Sequence, residues 1–258
     1  MHRRAVSPCR NVRLKLTIAY DGAPYAGWQS QTSGNTVQDI LEAALETVSK
    51  TRIPIHGAGR TDAGVHALGQ VAHFDTPPDS KMKPVDWQRA LNANLPPTIR
   101  IVRASRAPGS SFHARFSARR KIYRYRIWLG LILPPHEHLR AWHVPHPLDG
   151  KRLRQALAIF KGRHDFRGFS ANRGKPTPDT TREIHSIMTS TRGPCLSITY
   201  DGEGFLYKMV RMLTGAAVRV ATGRASVEDL RALLDHPDRG KWSFVAPPDG
   251  LYLVRVGY

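Results

Sequence analysis

The sequence predicts an α+β fold built on a mainly antiparallel sheet. Three observations point there. Strictly alternating stretches read as half-buried strands, apolar residues at helical spacing follow capping residues, and many strand-to-strand links are too short for parallel crossovers. In "RLKLTIAY", residues 13–20, Leu14, Leu16, Ile18 and Tyr20 share one face and Lys15 and Thr17 the other. A turn-rich loop, "DGAPYAGWQSQTSGN", follows, and Thr36 caps a helix with Asp39 three residues on. Val37, Ile40, Leu41, Ala44, Leu45 and Val48 form its apolar stripe. Next come a short strand near Ile53 to His56, a glycine-rich loop carrying Asp62, a strand near Gln70 to Phe74, a helix around Val85 to Ala93 and a strand around Ile99 to Arg103.

The basic connector "APGSSFHARFSARRK" separates two halves, 13–113 and 114–258, behind a basic tail at 1–12. In the second half "KIYRYRIW" alternates, with Tyr123, Tyr125 and Ile127 on one face. A helix near Lys151 to Phe160, a long loop "GRHDFRGFSANRGKPTPDTTR", strands near Glu183 to Thr191 and Leu196 to Tyr200, a helix from about Leu206 to Ala221, a Ser226-capped helix and a last strand "LYLVRVGY" complete it. "TIAYDG" at 17–22 and "SITYDG" at 197–202 are a faint echo between the halves.

The chain of 258 residues, 41% hydrophobic, is long enough to bury a core. No apolar run approaches the roughly 20 residues of a membrane span, and the basic N-terminus has no apolar segment of a secretory signal. Two cysteines, Cys9 and Cys195, give neither a disulfide framework nor a CxxC zinc site and fit a reducing cytoplasm. A net charge of +19 calls for a polyanion, with nucleic acid ahead of an anionic membrane because no basic amphipathic helix stands out.

"GAGRTD" carries two glycines of a dinucleotide loop, but Asp62 stands where the third would be and would repel phosphate; no P-loop Lys-Ser/Thr follows. Asp62 is therefore a catalytic carboxylate or an ordinary turn residue. His136, His138, His143 and His146 lie among prolines that break any helix able to align metal ligands, and a zinc nucleobase deaminase would need PCxxC. In "FHARFSARRKIYRYR", arginines that neutralise phosphates interleave with aromatic faces that stack on bases, which suits RNA. Arg211 lies in the strongly apolar "GFLYKMVRMLTG" and needs either a buried anionic partner or a route for its head to solvent.

Together "YDGAPYAGWQSQ", "TVQDILE", "GAGRTDAGVHALGQVAHF", "LNANLP", "FHARFSARRKIYRYR", "GRHDFRGF", "GFLYKMVRMLTG" and "GLYLVRVGY" resemble, in order, the tRNA pseudouridine synthase A family, from about residue 13 to 258. The resemblance implies the pseudouridine synthase fold, two similar α/β halves joined through a central antiparallel sheet. It implies isomerisation of uridines 38–40 in the tRNA anticodon stem-loop by a cytoplasmic homodimer that shares one tRNA, without cofactor, metal or membrane. By position, Asp62 is the catalytic aspartate, Tyr123 stacks on the target base, Arg211 pairs with the aspartate and Arg60 helps hold the flipped nucleotide. Phe112, His113, Ala114, Arg115 and Phe116 are candidate RNA contacts, joined by Ser170 and Arg173 in the loop after Phe169.

Pseudouridine formation moves C1′ from N1 to C5 of one base with no redox change, so it requires no cofactor. The uracil must leave the stack. Asp62 must be anionic to act on the sugar; burial opposes that charge and a neighbouring Arg211 favours it. The final loss of the C5 proton needs a base, Tyr123 or water. Rival readings are a non-catalytic tRNA-binding protein or chaperone on this scaffold, and an RNA glycosylase or nuclease, the latter usually needing clustered carboxylates for metal.

Overall fold

The computed structural model describes residues 11–78, 80–172 and 178–258. The elements in chain order are β1 Arg13–Tyr20, α1 Val37–Ser49, β2 His56–Gly57, β3 His66–Asp75, α2 Pro84–Asn94, β4 Ile99–Arg106, β5 Arg120–Trp128, β6 Trp142–His143, α3 Gly150–Ala158, β7 Gly162–Asp165, β8 Thr181–Arg192, β9 Cys195–Gly202, α4 Met209–Ala221, α5 Val227–Asp235 and β10 Leu251–Gly257. Most of tail 1–12, with Cys9, lies outside the described residues, as does Arg173.

One ten-stranded sheet runs β4-β1-β3-β10-β5-β9-β8-β7, with β2 on β3 and β6 on β5. Among the described residues only β10–β3 and β5–β6 pair in parallel; the other pairs are antiparallel. β4-β1-β3 and β10-β5-β9 are equivalent trios, each with its half's first strand in the middle, and they abut through β3–β10. The echo of "TIAYDG" and "SITYDG" falls on β1 and β9, which are not counterparts. The likeness of the halves resides in strand order, not in those matching ends.

The local rules hold where burial is regular. β1 alternates as expected, with Leu14, Leu16, Ile18 and Tyr20 buried. Thr36 accepts the Asp39 N–H at 3.2 Å, and α1 buries Val37, Leu41, Ala44 and Leu45 before ending at left-handed Lys50. α2 is fastened to β4 by side chains: Asn92 accepts from the Ile101 amide at 2.8 Å and Gln88 donates to the Val102 carbonyl at 2.9 Å. α4 is buried nearly all round, and the apolar residues of both trios join one core. Among the described residues no helix is long and apolar enough to cross a membrane.

Several boundaries differ from expectation: β2 is His56–Gly57 rather than Ile53 to His56, and β4 runs on to Arg106 rather than Arg103. β3 begins at His66 rather than Gln70, because Ala67 pairs with β1 and His66 with β10. α4 begins at Met209 rather than Leu206, since Lys208 holds φ 58° and interrupts the helix. The loop expected from 162 contains β7 and a 3-10 turn, Arg167–Phe169, because Phe166 and Phe169 are fully buried and draw the segment onto the core.

Candidate active site

The glycine-rich loop between β2 and β3 is held along its length. Ala58 N–H donates to Val71 O at 2.7 Å, Gln70 Nε2 to Gly59 O at 2.9 Å, Trp28 N–H to Thr61 O at 3.1 Å and Val65 N–H to Asp62 O at 3.1 Å. The Tyr20 hydroxyl and Thr61 Oγ1 are 2.8 Å apart in the core. A Cβ on Gly57 would lie 2.5 Å from the buried indole of Trp28, so only glycine lets the loop settle on that ring. Asp62 thus projects from an anchored turn.

Its partner comes from the other half. Arg211, in the first turn of α4, donates from Nη1 to Asp62 Oδ2 at 3.1 Å and from Nε to Ala246 O at 2.8 Å. Both side chains are mostly buried, 12% exposed for Arg211 and 15% for Asp62. In so dry a place either charge alone would be costly, and paired they compensate. Of the two readings open for Arg211, the structure shows the buried anionic partner.

Tyr123, central in β5, is 8% exposed, and its ring meets Phe205 edge-on at 5.2 Å between centroids. Burial first, then Tyr20 and the Asp62 charge, push its phenol well above the usual range, so the hydroxyl stays protonated. Asp62 and Tyr123 both line a cleft of about 600 Å³, whose walls also include Arg60, Phe116, Phe205 and Lys208. Arg60 is exposed and donates from Nε to Gln29 Oε1 at 3.0 Å.

Within 112–116 the residues divide. His113, Arg115 and Phe116 line the cleft, Phe116 with 77% of its surface exposed. Phe112 and Ala114 face inward at 5% and 0% exposure, so their side chains are core and not a surface for RNA. Buried His73 accepts the Ala114 N–H on Nδ1 at 3.1 Å and Arg13 donates to Phe112 O at 2.8 Å, pinning the segment. Ser170 is also buried: its hydroxyl donates to Arg167 O at 3.2 Å, and it is absent from the cleft wall. Trp28, Phe205, Lys208 and Lys121, none of them a candidate from the sequence, also form the cleft wall. Lys121 alone had a local signal, standing two residues before Tyr123 on an alternating strand.

The site is a cation-lined cleft with one paired carboxylate and an aromatic ring beside it, equipped to bind a flat ring and act on a neighbouring carbon. A family model described as tRNA pseudouridine synthase matches residues 16–117 and 156–258. A tRNA pseudouridine synthase A of Akkermansia muciniphila is 48% identical over 252 residues, covering 95% of each chain. One from Bacillus licheniformis is 42% identical over 96% of this chain and 99% of its own, and one from Methylacidiphilum infernorum 40% identical over 96% of each.

Proposed function

Since the chain belongs to the tRNA pseudouridine synthase family, whose members are isomerases acting on tRNA, we propose that its target uridines lie in the anticodon stem-loop and that Asp62, Tyr123 and Arg211 are its catalytic centre. The observation that carries the assignment is the Asp62–Arg211 pair at 3.1 Å, on the wall of the cleft that Tyr123 also lines. The reading takes 13–113 and 114–258 as two synthase halves, the first giving Asp62 and the second Tyr123 and Arg211.

On this reading Arg60 and Phe116 receive the extruded nucleotide and Tyr123 supplies a face on which the uracil turns. An Asp62 oxygen acts at the ribose, by attack on C1′ or by assisting loss of a ribose proton, or it attacks C6 of the ring. The C1′–N1 bond breaks, C1′–C5 forms, and the C5 proton departs as N1 gains one, so atoms and charge balance without redox change. Arg211 compensates the carboxylate where water is scarce. Because burial keeps the Tyr123 phenol protonated, it can take the C5 proton only by giving up its own.

The test is incubation of unmodified tRNA with wild type and Asp62→Asn, mapping pseudouridine, strand breaks and free uracil. Wild type should form pseudouridine only in the anticodon stem-loop, and the variant should bind tRNA but make none. Product from the variant at near-normal rate rejects Asp62; free uracil or broken strands indicate a glycosylase or nuclease; binding without product in wild type indicates a tRNA-binding protein. The reading extends to a cytoplasmic homodimer sharing one tRNA, supported by the family resemblance. Light scattering should then give twice the 28.8 kDa of one chain, with one tRNA bound.

A further inference from the structure

Lys121 is a cation on the cleft wall for which the catalytic reading has no use and which, among the described residues, has neither a hydrogen-bonding nor an ionic partner. It stands in β5, in register with Gly202 of β9 and Val256 of β10, two residues before Tyr123. Alternation puts both side chains on one face, about 7 Å apart along the strand, and both line the cleft. The ammonium lies against the Asp62 loop, where a Cβ on Gly59 would be 3.0 Å from Nζ. Among the described residues Lys121 makes no hydrogen bond and no ion pair. The charges that reach it are those of Arg115 and Arg182, both positive. A partly buried ammonium among guanidinium groups is unfavourable in the free protein, and an anion would relieve it.

We infer that Lys121, with Arg115 beside it, is the seat of a backbone phosphodiester flanking the extruded nucleotide, a contact that holds the strand equally in the ground and transition states. The inference rests on the proposed function and names the part of the substrate this corner holds. The offset between Tyr123 and Lys121 along β5 is comparable to the reach from a nucleobase to its own phosphate. Gly59 leaves room for the ammonium beside the loop, since a Cβ there would crowd Nζ at 3.0 Å. Burial, then the charges of Arg115 and Arg182, draws the free Lys121 ammonium down to about 8, as expected of a cation lacking its counter-ion.

The experiment compares wild type, Lys121→Met and Lys121→Arg on unmodified tRNA. It records Kd against salt, kcat and KM for pseudouridine formation, and the melting temperature of each free protein. Lys121→Met should raise Kd and KM about tenfold, leave kcat within about threefold, and shallow the salt slope by about 0.7 to 1. It should melt no lower than wild type, since the unpaired charge is gone. Lys121→Arg should restore affinity to within about threefold. A tRNA with one methylphosphonate linkage beside the target uridine should bind wild type more weakly and Lys121→Met no more weakly than it binds natural tRNA. Wild-type Kd and salt slope in Lys121→Met would overturn the inference. So would a lowered melting temperature that Lys121→Arg shares, because Lys121 would then be structural. If wild type makes no pseudouridine in the anticodon stem-loop, the proposed function has failed; if it does and Lys121→Met matches it, the phosphate seat alone has failed.

Discussion

Arg211 Nη1 lies 3.1 Å from Asp62 Oδ2 across 149 positions of sequence, joining the first turn of α4 to the loop before β3. The same guanidinium holds the Ala246 carbonyl, and the Ala246 amide returns to Arg211 O at 3.2 Å. Removing the cation takes a charge partner away from a largely buried carboxylate. Arg211→Met should therefore destabilise the protein by about 2–4 kcal/mol and abolish turnover. Asp62→Asn combined with Arg211→Met should cost less stability than the sum of the two single changes, by about 1 kcal/mol or more. Urea unfolding of the four proteins gives that coupling, and strict additivity would mean that the pair contributes nothing.

Tyr123 offers the cleft a ring and a hydroxyl, and Tyr123→Phe separates them. The ring contact with Phe205 and the burial of the site survive the change, so tRNA affinity should stay within about twofold. Loss of a group that carries a proton in the transition state costs roughly 10²- to 10⁴-fold, and turnover should fall by at least about a hundredfold. Single-turnover rates at saturating enzyme measure this. A rate within twofold of wild type would confine Tyr123 to stacking and assign the C5 proton to water.

His73 should make stability depend on acid. It is 2% exposed, accepts the Ala114 N–H on Nδ1, and lies among His113, His56, Arg13 and Asp75. Burial, with the charges of His113, Arg13 and His56 and against that of Asp75, lowers it to about 4. The folded protein therefore favours the neutral ring over an unfolded value near 6.5. The contribution is complete above pH 6.5 and is lost as pH falls toward 4, on the order of 3 kcal/mol in all. Asn at 73 can still accept the Ala114 amide and does not titrate. His73→Asn should flatten the fall in stability between pH 6.5 and 4, measured by urea midpoints; an unchanged profile would assign the acid sensitivity elsewhere.

The sequence disclosed whatever depended on near neighbours. The alternation of β1 and β5, the Thr36 and Ser226 caps, and an arginine stranded in an apolar helix are local patterns with one or two physical solutions. The structure supplies them, down to Asp62 as the partner of Arg211. What escaped is set by distant packing. The order that makes β4-β1-β3 a counterpart of β10-β5-β9 depends on pairings between residues far apart in the chain. β7 exists because Phe166 and Phe169 find places in the core, which a loop-like composition hides. In "FHARF" inward Phe112 and Ala114 alternate with outward His113 and Arg115, a period-two pattern that marks half the run as core.

Gly57 tests whether the anchoring of the loop, and not Asp62 alone, makes the site. A methyl group there would lie 2.5 Å from Cε2 and Nε1 of Trp28. That ring is 2% exposed and closely packed, so either the indole or the loop must shift. The Trp28 backbone holds Thr61 O at 3.1 Å, which passes the shift to the residue next to Asp62. Gly57→Ala should cost about 1–3 kcal/mol as overpacking, lowering the melting temperature by several degrees. Since displacement of about 1 Å at a reacting group can cost a hundredfold, kcat should fall at least tenfold with tRNA affinity nearly kept. Gly57→Ala with Trp28→Phe, which replaces the bicyclic indole by a smaller single ring, should recover part of both. If Gly57→Ala alone melts and turns over like wild type, the loop has slack and its anchoring on Trp28 does not set the position of Asp62.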